Sequence, residues 1–182
     1  MVATLSAAEP STVPQQRLTA EELCRVHAAD VCRFAAMMAP SPADAEDLAQ
    51  EALLRAVRSL HRFDPSRGSM GAWLWRIVAN ASRDAAGRRQ RFRDLTVRIG
   101  LLTPTESETV EDTALSRLPD AGLHAALITL PLRDRTLISL RYGVGLDAGE
   151  VGDAVGLSAE SASRALRRAL ARLRARLEEM PR

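Results

Sequence analysis

The run DAGEVGDAVGLSAESASRALRRALARL, residues 147–173, reads as two helices around a sharp turn. Asp147 opens a short amphipathic helix that ends at Val155. Gly156-Leu157-Ser158 makes the turn, and Gly156 supplies the left-handed backbone that side-chain-bearing residues resist. Ser158 is an N-cap for a long helix from Ala159 to about Glu179. Val151, Val155, Leu157, Ala162 and Leu166 fall where the two helices pack, and Gly152 keeps one contact small. This is a helix-turn-helix, whose second helix enters the DNA major groove by its N-terminal end. That end presents Glu160, Ser161, Ser163 and Arg164. Arginine reads guanine through two hydrogen bonds, and serine reaches bases or phosphates. Arg167 and Arg168 suit phosphate contact. The plainer alternative is an Arg-rich solvated face in a bundle; Gly156 and the short first helix argue against it.

Upstream, the second half continues helical. Gly122–Leu130 is a short helix halted at Pro131, and Arg133–Tyr142 is another, broken by Gly143-Val144-Gly145. The first half has three helices. One runs from about Thr19 to Pro40, with Leu23, Cys24, Val26, His27, Val31, Phe34 and Ala35 at three-to-four spacing. A second follows Ser41-Pro42, a cap and first-turn proline, and carries Ala45, Leu48, Ala49, Ala52, Ala56, Val57 and Leu60 on one face. A third runs from about Met70 to Arg91. The fold class is therefore all-α, with two small helical domains joined by a flexible linker. The boundaries are a disordered tail over 1–19, a first domain over 20–93, an acidic linker over 94–119 and a second domain over 120–179.

Composition narrows the function. Of 182 residues, 46% are hydrophobic but only 3% aromatic, so the core is built from Ala, Leu and Val. All 25 basic positions are arginine, set against 23 acids, so charge placement matters more than the net +2. No apolar run approaches the roughly 20 residues of a membrane span. Met1–Arg17 lacks the pattern of a secretory signal. Cys24 and Cys32, eight residues apart on one helix, lie about 12 Å apart, beyond disulfide reach. His27 alone does not complete a zinc set. A reducing cytoplasm, no cofactor, no metal and no membrane insertion are expected.

Two further constellations carry chemistry. Trp73 and Trp75 stand at the start of the third helix, ahead of Arg83, Arg88, Arg89, Arg91 and Arg93. Rings beside arginines suit single-stranded nucleic acid, because bases stack while Arg tracks phosphates. Two positions apart, the tryptophans cannot share one buried stripe, so at least one faces outward; a core role is the plainer reading of Trp73. The other constellation is acidic: Asp44, Glu46, Asp47, Gln50 and Glu51 crowd the start of the second helix. Solvated acids favoured by the helix dipole explain them as well as a protein-docking face does. Without a partnering nucleophile or phosphate loop, catalysis is not expected, and the protein is read as no enzyme.

These stretches together resemble a known family. DAEDLAQEALLRA, residues 44–56, is similar to the DAEDLxQExxLRA signature of sigma-70 region 2. FDPSRGS, 63–69, and AWLWRIVAN, 72–80, resemble the stretch that follows it. LPLRDRTLISLRYGVGL, 130–146, with the helix-turn-helix and its ALARLR tail, resembles region 4. Two regions in this order resemble the extracytoplasmic function (ECF) sigma factors. The recognition helix departs from the usual Thr-Val-Lys-Ser-Arg-like run with Ser161-Ala162-Ser163-Arg164-Ala165, so no −35 preference transfers.

The resemblance implies that Asp47, Gln50, Glu51 and Arg55 dock on the β′ clamp helices of core RNA polymerase. It implies that Phe63, Arg67, Trp73, Trp75, Arg76, Asn80, Arg83, Arg88 and Arg89 engage promoter DNA at the −10 element, with an unpaired base held near Asn80. It implies that Glu160, Ser161, Ser163, Arg164, Arg167 and Arg168 engage the −35 element while that module touches the β flap. An anti-sigma factor is a common partner in this group, and no residue here identifies one. The competing readings are a helix-turn-helix regulator acting without polymerase core, and a polymerase-binding protein without promoter recognition.

Overall fold

The computed structural model describes residues 19–99 and 121–180, and their regular structure is entirely helical. The expected N-terminal tail and most of the expected linker lie outside the described residues. Helix α1 spans Ala20–Met38 and opens with a capping box. The Thr19 hydroxyl accepts from the Glu22 amide at 3.1 Å, and the Glu22 carboxylate accepts from the Thr19 amide at 2.8 Å. Helix α2, Pro42–Ser59, starts on the Ser41 cap with proline in its first turn. Helix α3, Met70–Arg98, starts on the Ser69 cap.

Helix α3 runs beyond Arg91 and past residue 94, where composition alone placed the linker. No breaker intervenes before Gly100. Gln90 donates to Asp94 at 2.8 Å one turn on, which supports the extension. The three helices close on Leu23, Val31, Phe34 and Ala35 of α1, Leu48, Ala52 and Ala56 of α2, and Leu74, Trp75, Val78 and Ala81 of α3. Alanines on α2 let the backbones approach closely, and the few aromatics fill the centre. The Phe34 and Trp75 rings meet at 5.9 Å between centroids.

The second half contains α4 (Ala121–Thr129), α5 (Leu132–Ile138), α6 (Ala148–Val155) and α7 (Ala159–Glu179). Helix α5 continues through a π-helical turn, Ser139–Val144, which Gly145 ends at φ +93°. Asp147 and Glu150 form a capping box for α6. Gly156 ends that helix at φ +75°. Gly152 is the close-approach residue: a Cβ there would stand 2.6 Å from the Leu157 carbonyl oxygen. An ion pair between Arg172 and the buried Asp134 ties α7 to α5.

The halves do not stand apart. Leu137, Leu140, Val151, Ala154, Ala162, Ala165 and Leu166 belong to the same buried cluster as the α1–α3 core. Helix α6 lies against α3, and the π-helical turn lies against α1. Met37 of α1 enters a second cluster with Ala126, Leu127, Leu130, Ile138, Ala169 and Leu173. Periodicity shows which face of a helix is apolar, not which neighbour covers it, so this packing is not legible as sequence.

Candidate nucleic-acid interface

The Ser41-Pro42 start sets the register of α2, and with it one polar side. Asp47 and Gln50 are exposed there, while Glu51 and Arg55 are half-buried. Leu54, 49% exposed, sits one turn from Gln50 and Glu51. Sequence reasoning passed over it; its signal is an apolar residue at three-and-four spacing within a charged face. Arg55 donates to Glu51 at 2.7 Å and, across to α3, to Asp84 at 2.6 Å. The two carboxylates raise the Arg55 pKa, the Asp84 bond most, and Arg55 holds the Asp84 carboxyl below its usual range. Asp44 is drawn inward, accepting from the Ser41 hydroxyl at 2.8 Å and pairing with Arg89 at 3.1 Å.

The Arg55–Asp84 pair sets a prediction. Asp84→Asn should cost about 0.5 kcal/mol at neutral pH, because the pair is largely solvated and screened. The folded-state pKa of Asp84 is depressed, so its contribution is present above the unfolded value and vanishes as pH falls through the folded one. Urea midpoints of the two proteins should therefore differ at pH 7 and converge in acid.

Where α2 meets α3, two adjoining depressions share Arg62. The first, about 410 Å³, is lined by Arg55, Arg58, Ser59, Ile77 and Asn80. The second, about 290 Å³, is bordered by Phe63, Arg67, Trp73 and Arg76. A loop of two single-turn 3-10 helices, Leu60–Arg62 and Pro65–Arg67, forms its rim. Asp64 caps the second of these, and the Ser66 hydroxyl and amide hold its carboxyl below the usual range. Gly68 leaves the loop at φ +146°. The Phe63 and Trp73 rings meet at 5.6 Å, so Trp73 is half-buried with a face on the groove. Asn80 is exposed and accepts from Arg83 at 2.7 Å.

One expected contact is corrected. Trp75 is 3% exposed and packs on Phe34 in the core, so it offers no ring to a ligand. Arg58 and Arg62 belong to the groove and were missed. Their four-residue spacing, from the last turn of α2 into the 3-10 turn that follows it, was the available signal. Arg88 is exposed, whereas Arg89 is occupied with Asp44. Phe92, exposed beside Arg88, Arg91 and Arg93, was also missed.

The third surface is the start of α7. Ser158 caps it, accepting from the Ser161 amide at 3.2 Å and donating to the Ser161 hydroxyl at 3.0 Å. Ser161 and Ser163 are half-buried, while Glu160, Arg164, Arg167 and Arg168 are exposed. Arg164 pairs with Glu160 at 2.7 Å one turn away, which holds the guanidinium along the helix edge. The acidic side of α2, the basic groove and the α7 start thus sit on different elements, and the structure does not gather them into one site. Among the described residues no group of His, Cys, Asp and Glu could hold a metal ion, and no helix is long and apolar enough to cross a membrane.

Comparison with known proteins places the chain in a family. The chain matches the family descriptions Sigma-70 region 2 over residues 23–92 and Sigma-70, region 4 over residues 126–175. The RNA polymerase sigma-E factor of Streptomyces avermitilis is 31% identical over 87% of this chain and 84% of its own length. The chain belongs to the sigma-70 family, among its ECF sigma factors. The ECF RNA polymerase sigma factor SigE of Mycolicibacterium smegmatis is 34% identical over 75% of this chain, which spans about half of that protein, 53%. In fold, the chain is similar to the sigma factor RpoE of Bartonella quintana, solved with the anti-sigma factor NepR. That likeness has a TM-score of 0.67 at 22% identity and covers 88% of this chain and 98% of the other. ECF sigma factors direct promoter-specific initiation by RNA polymerase and are not enzymes.

Proposed function

We propose a division of labour among the three surfaces. Asp47, Gln50, Glu51 and Arg55, with Leu54 among them, dock on the β′ clamp helices of core polymerase. The α2–α3 groove binds the opened −10 element. Arg62, Arg67 and Arg76 track phosphates, Trp73 backed by Phe63 offers a stacking face, and an unpaired base enters the depression beside Asn80. Arg83 and Arg88 extend this basic track along α3, and Arg89 joins it when its ion pair with Asp44 opens. The α7 start reads the −35 element through Ser163 and Arg164, with Arg167 and Arg168 on phosphates and Glu160 and Ser161 setting the end of the helix. The module that carries α7 rests on the β flap.

The observation that carries this reading is the set of arginines, a half-buried aromatic ring and an exposed amide lining two adjoining depressions that share Arg62, the combination that suits unstacked bases. The domain bounds proposed are region 2 over 20–98, to the end of α3, and region 4 over 120–179, with the residues between as the connection. The site of action is the cytoplasm. The Bartonella relative suggests an anti-sigma factor as a further partner.

Purified core polymerase, this protein and a promoter library test the reading. Sequence-selective run-off transcripts are expected; their absence rejects it. Asn80→Ala should lower open-complex formation about tenfold, within the range for a lost base contact, and leave core binding unchanged. Equal losses in both would remove the base-pocket role. Tight two-fold-symmetric DNA binding by this protein without polymerase would favour a stand-alone regulator.

A further inference from the structure

The larger depression at the α2–α3 junction is one-sided in its hydrogen bonding. Arg83 donates to the side-chain oxygen of Asn80 at 2.7 Å. A guanidinium has no acceptor, so Asn80 must turn its oxygen toward Arg83, and its NH2 is the end left for a ligand. Arg55 gives Nε to Glu51 and Nη1 to Asp84, which fixes the plane of its guanidinium. Its Nη2 has no partner among the described residues. Arg58, one turn further along α2, is exposed and, among the described residues, joins no hydrogen bond or ion pair. The Ser59 hydroxyl donates its proton to the Arg55 carbonyl, so its oxygen is the one acceptor on the lining not already engaged. Ile77 supplies an apolar wall. The depression, about 410 Å³, is therefore walled by donors, with room for either a purine or a pyrimidine.

The four bases meet such walls differently. Thymine brings carbonyl oxygens and no amino group. Guanine brings a carbonyl beside a ring-nitrogen acceptor, and cytosine one carbonyl and one amino group. Adenine has no carbonyl, and its exocyclic group is an amino donor. Against guanidinium and amide N–H groups, that amino group leaves donor facing donor. Desolvated donors without acceptors are costly, and a site built to hydrogen-bond one group rejects the analogue that lacks it.

We infer that the depression beside Asn80 selects its unpaired base by carbonyl oxygen: it accepts thymine best and excludes adenine, with Asn80, Arg55 and Arg58 determining the choice. The inference rests on the proposed −10 role of the groove and adds which base the groove takes.

A pre-melted promoter tests it, because unpaired bases remove any difference in duplex stability. Core polymerase and this protein are bound to a promoter taken from the library, with an open −10 bubble in which each base is changed in turn to thymine, adenine or hypoxanthine. Hypoxanthine keeps the ring system of adenine and puts a carbonyl where adenine has its amino group. At one bubble position adenine should weaken binding about tenfold relative to thymine, and hypoxanthine should recover most of that loss. Equal binding of adenine and hypoxanthine at every position overturns the inference and leaves Arg58 as a phosphate contact. Two variants then read the hypoxanthine-to-adenine ratio at that position. Asn80→Asp keeps an oxygen on Arg83 and replaces the NH2 donor by an acceptor; Arg58→Met removes a donor from an exposed position. Either change weakens all DNA binding through charge, but only a base-reading role moves the ratio, which should fall at least about threefold in each. A ratio unchanged in either variant overturns the assignment of these walls. Promoter-selective complexes with no such position reject the base preference alone; no promoter-selective complex at all rejects the sigma reading beneath it.

Discussion

Gly152→Ala should destabilise the helix-turn-helix by about 3 kcal/mol. The added Cβ would lie 2.6 Å from the Leu157 carbonyl oxygen and 3.3 Å from the Ser158 carbonyl carbon. Both are backbone atoms of the turn, and neither can swing aside as a flexible side chain does. The turn is also pinned from the other direction, since the Leu157 amide donates to the Gly152 carbonyl at 2.8 Å. Overpacking a filled site costs about 1–3 kcal/mol, and a contact with fixed backbone belongs at the upper end. Urea denaturation should show that loss, and −35-dependent promoter binding should fall with it. Gly156→Ala is the internal comparison: its φ is +75° and the space around it is open, so only backbone strain acts, about 1–2 kcal/mol. A Gly152→Ala protein as stable as wild type would show that the turn relaxes, and that the close approach is not what holds α6 to α7.

Phe34→Ala should be the most destabilising core substitution. Phe34 is wholly buried in α1 and packs on Trp75 of α3. Truncating such a ring leaves a cavity and costs about 3–5 kcal/mol. The same buried cluster contains Leu137, Leu140 and Val151 from the second half, so the loss should reach region 4 as well as region 2. Urea melts of the variant, followed by tryptophan emission for region 2 and by far-ultraviolet circular dichroism for all helices, should shift together. A shift confined to the tryptophan signal would show that the halves unfold independently.

Local chemistry makes much of this molecule legible in its residues. Ser41-Pro42, Asp147, Gly156 and Ser158 act within a few positions of themselves, so caps and turns can be read from the chain. Gly152 is readable for the same reason: a helix-turn-helix forces one small contact next to its turn. Trp73 and Trp75 show where such reading stops. Their two-residue offset says they face different sides, but only the placement of α1 decides which side is interior. Phe34 claims Trp75, and Phe63 from the loop backs Trp73. Arg58 and Arg62 escape notice because arginines where a helix ends are ordinary; their place in the lining of the depressions appears only when α3 lies opposite. The junction of the halves is hidden most completely. Met37 and Val151 are apolar residues at helical spacing, and spacing alone does not say that each will be covered by the other half.

One chain reaching two separated DNA elements, and only from the surface of polymerase, is what the assignment of function requires. A footprint of the complete complex addresses it: DNase I protection for the −35 element and permanganate reactivity of unpaired thymines for the −10 element, on one promoter, with and without core polymerase. Protection upstream and unpaired thymines downstream should appear together, and only when both proteins are present. Upstream protection by this protein alone, with no melting when polymerase is added, would contradict the account.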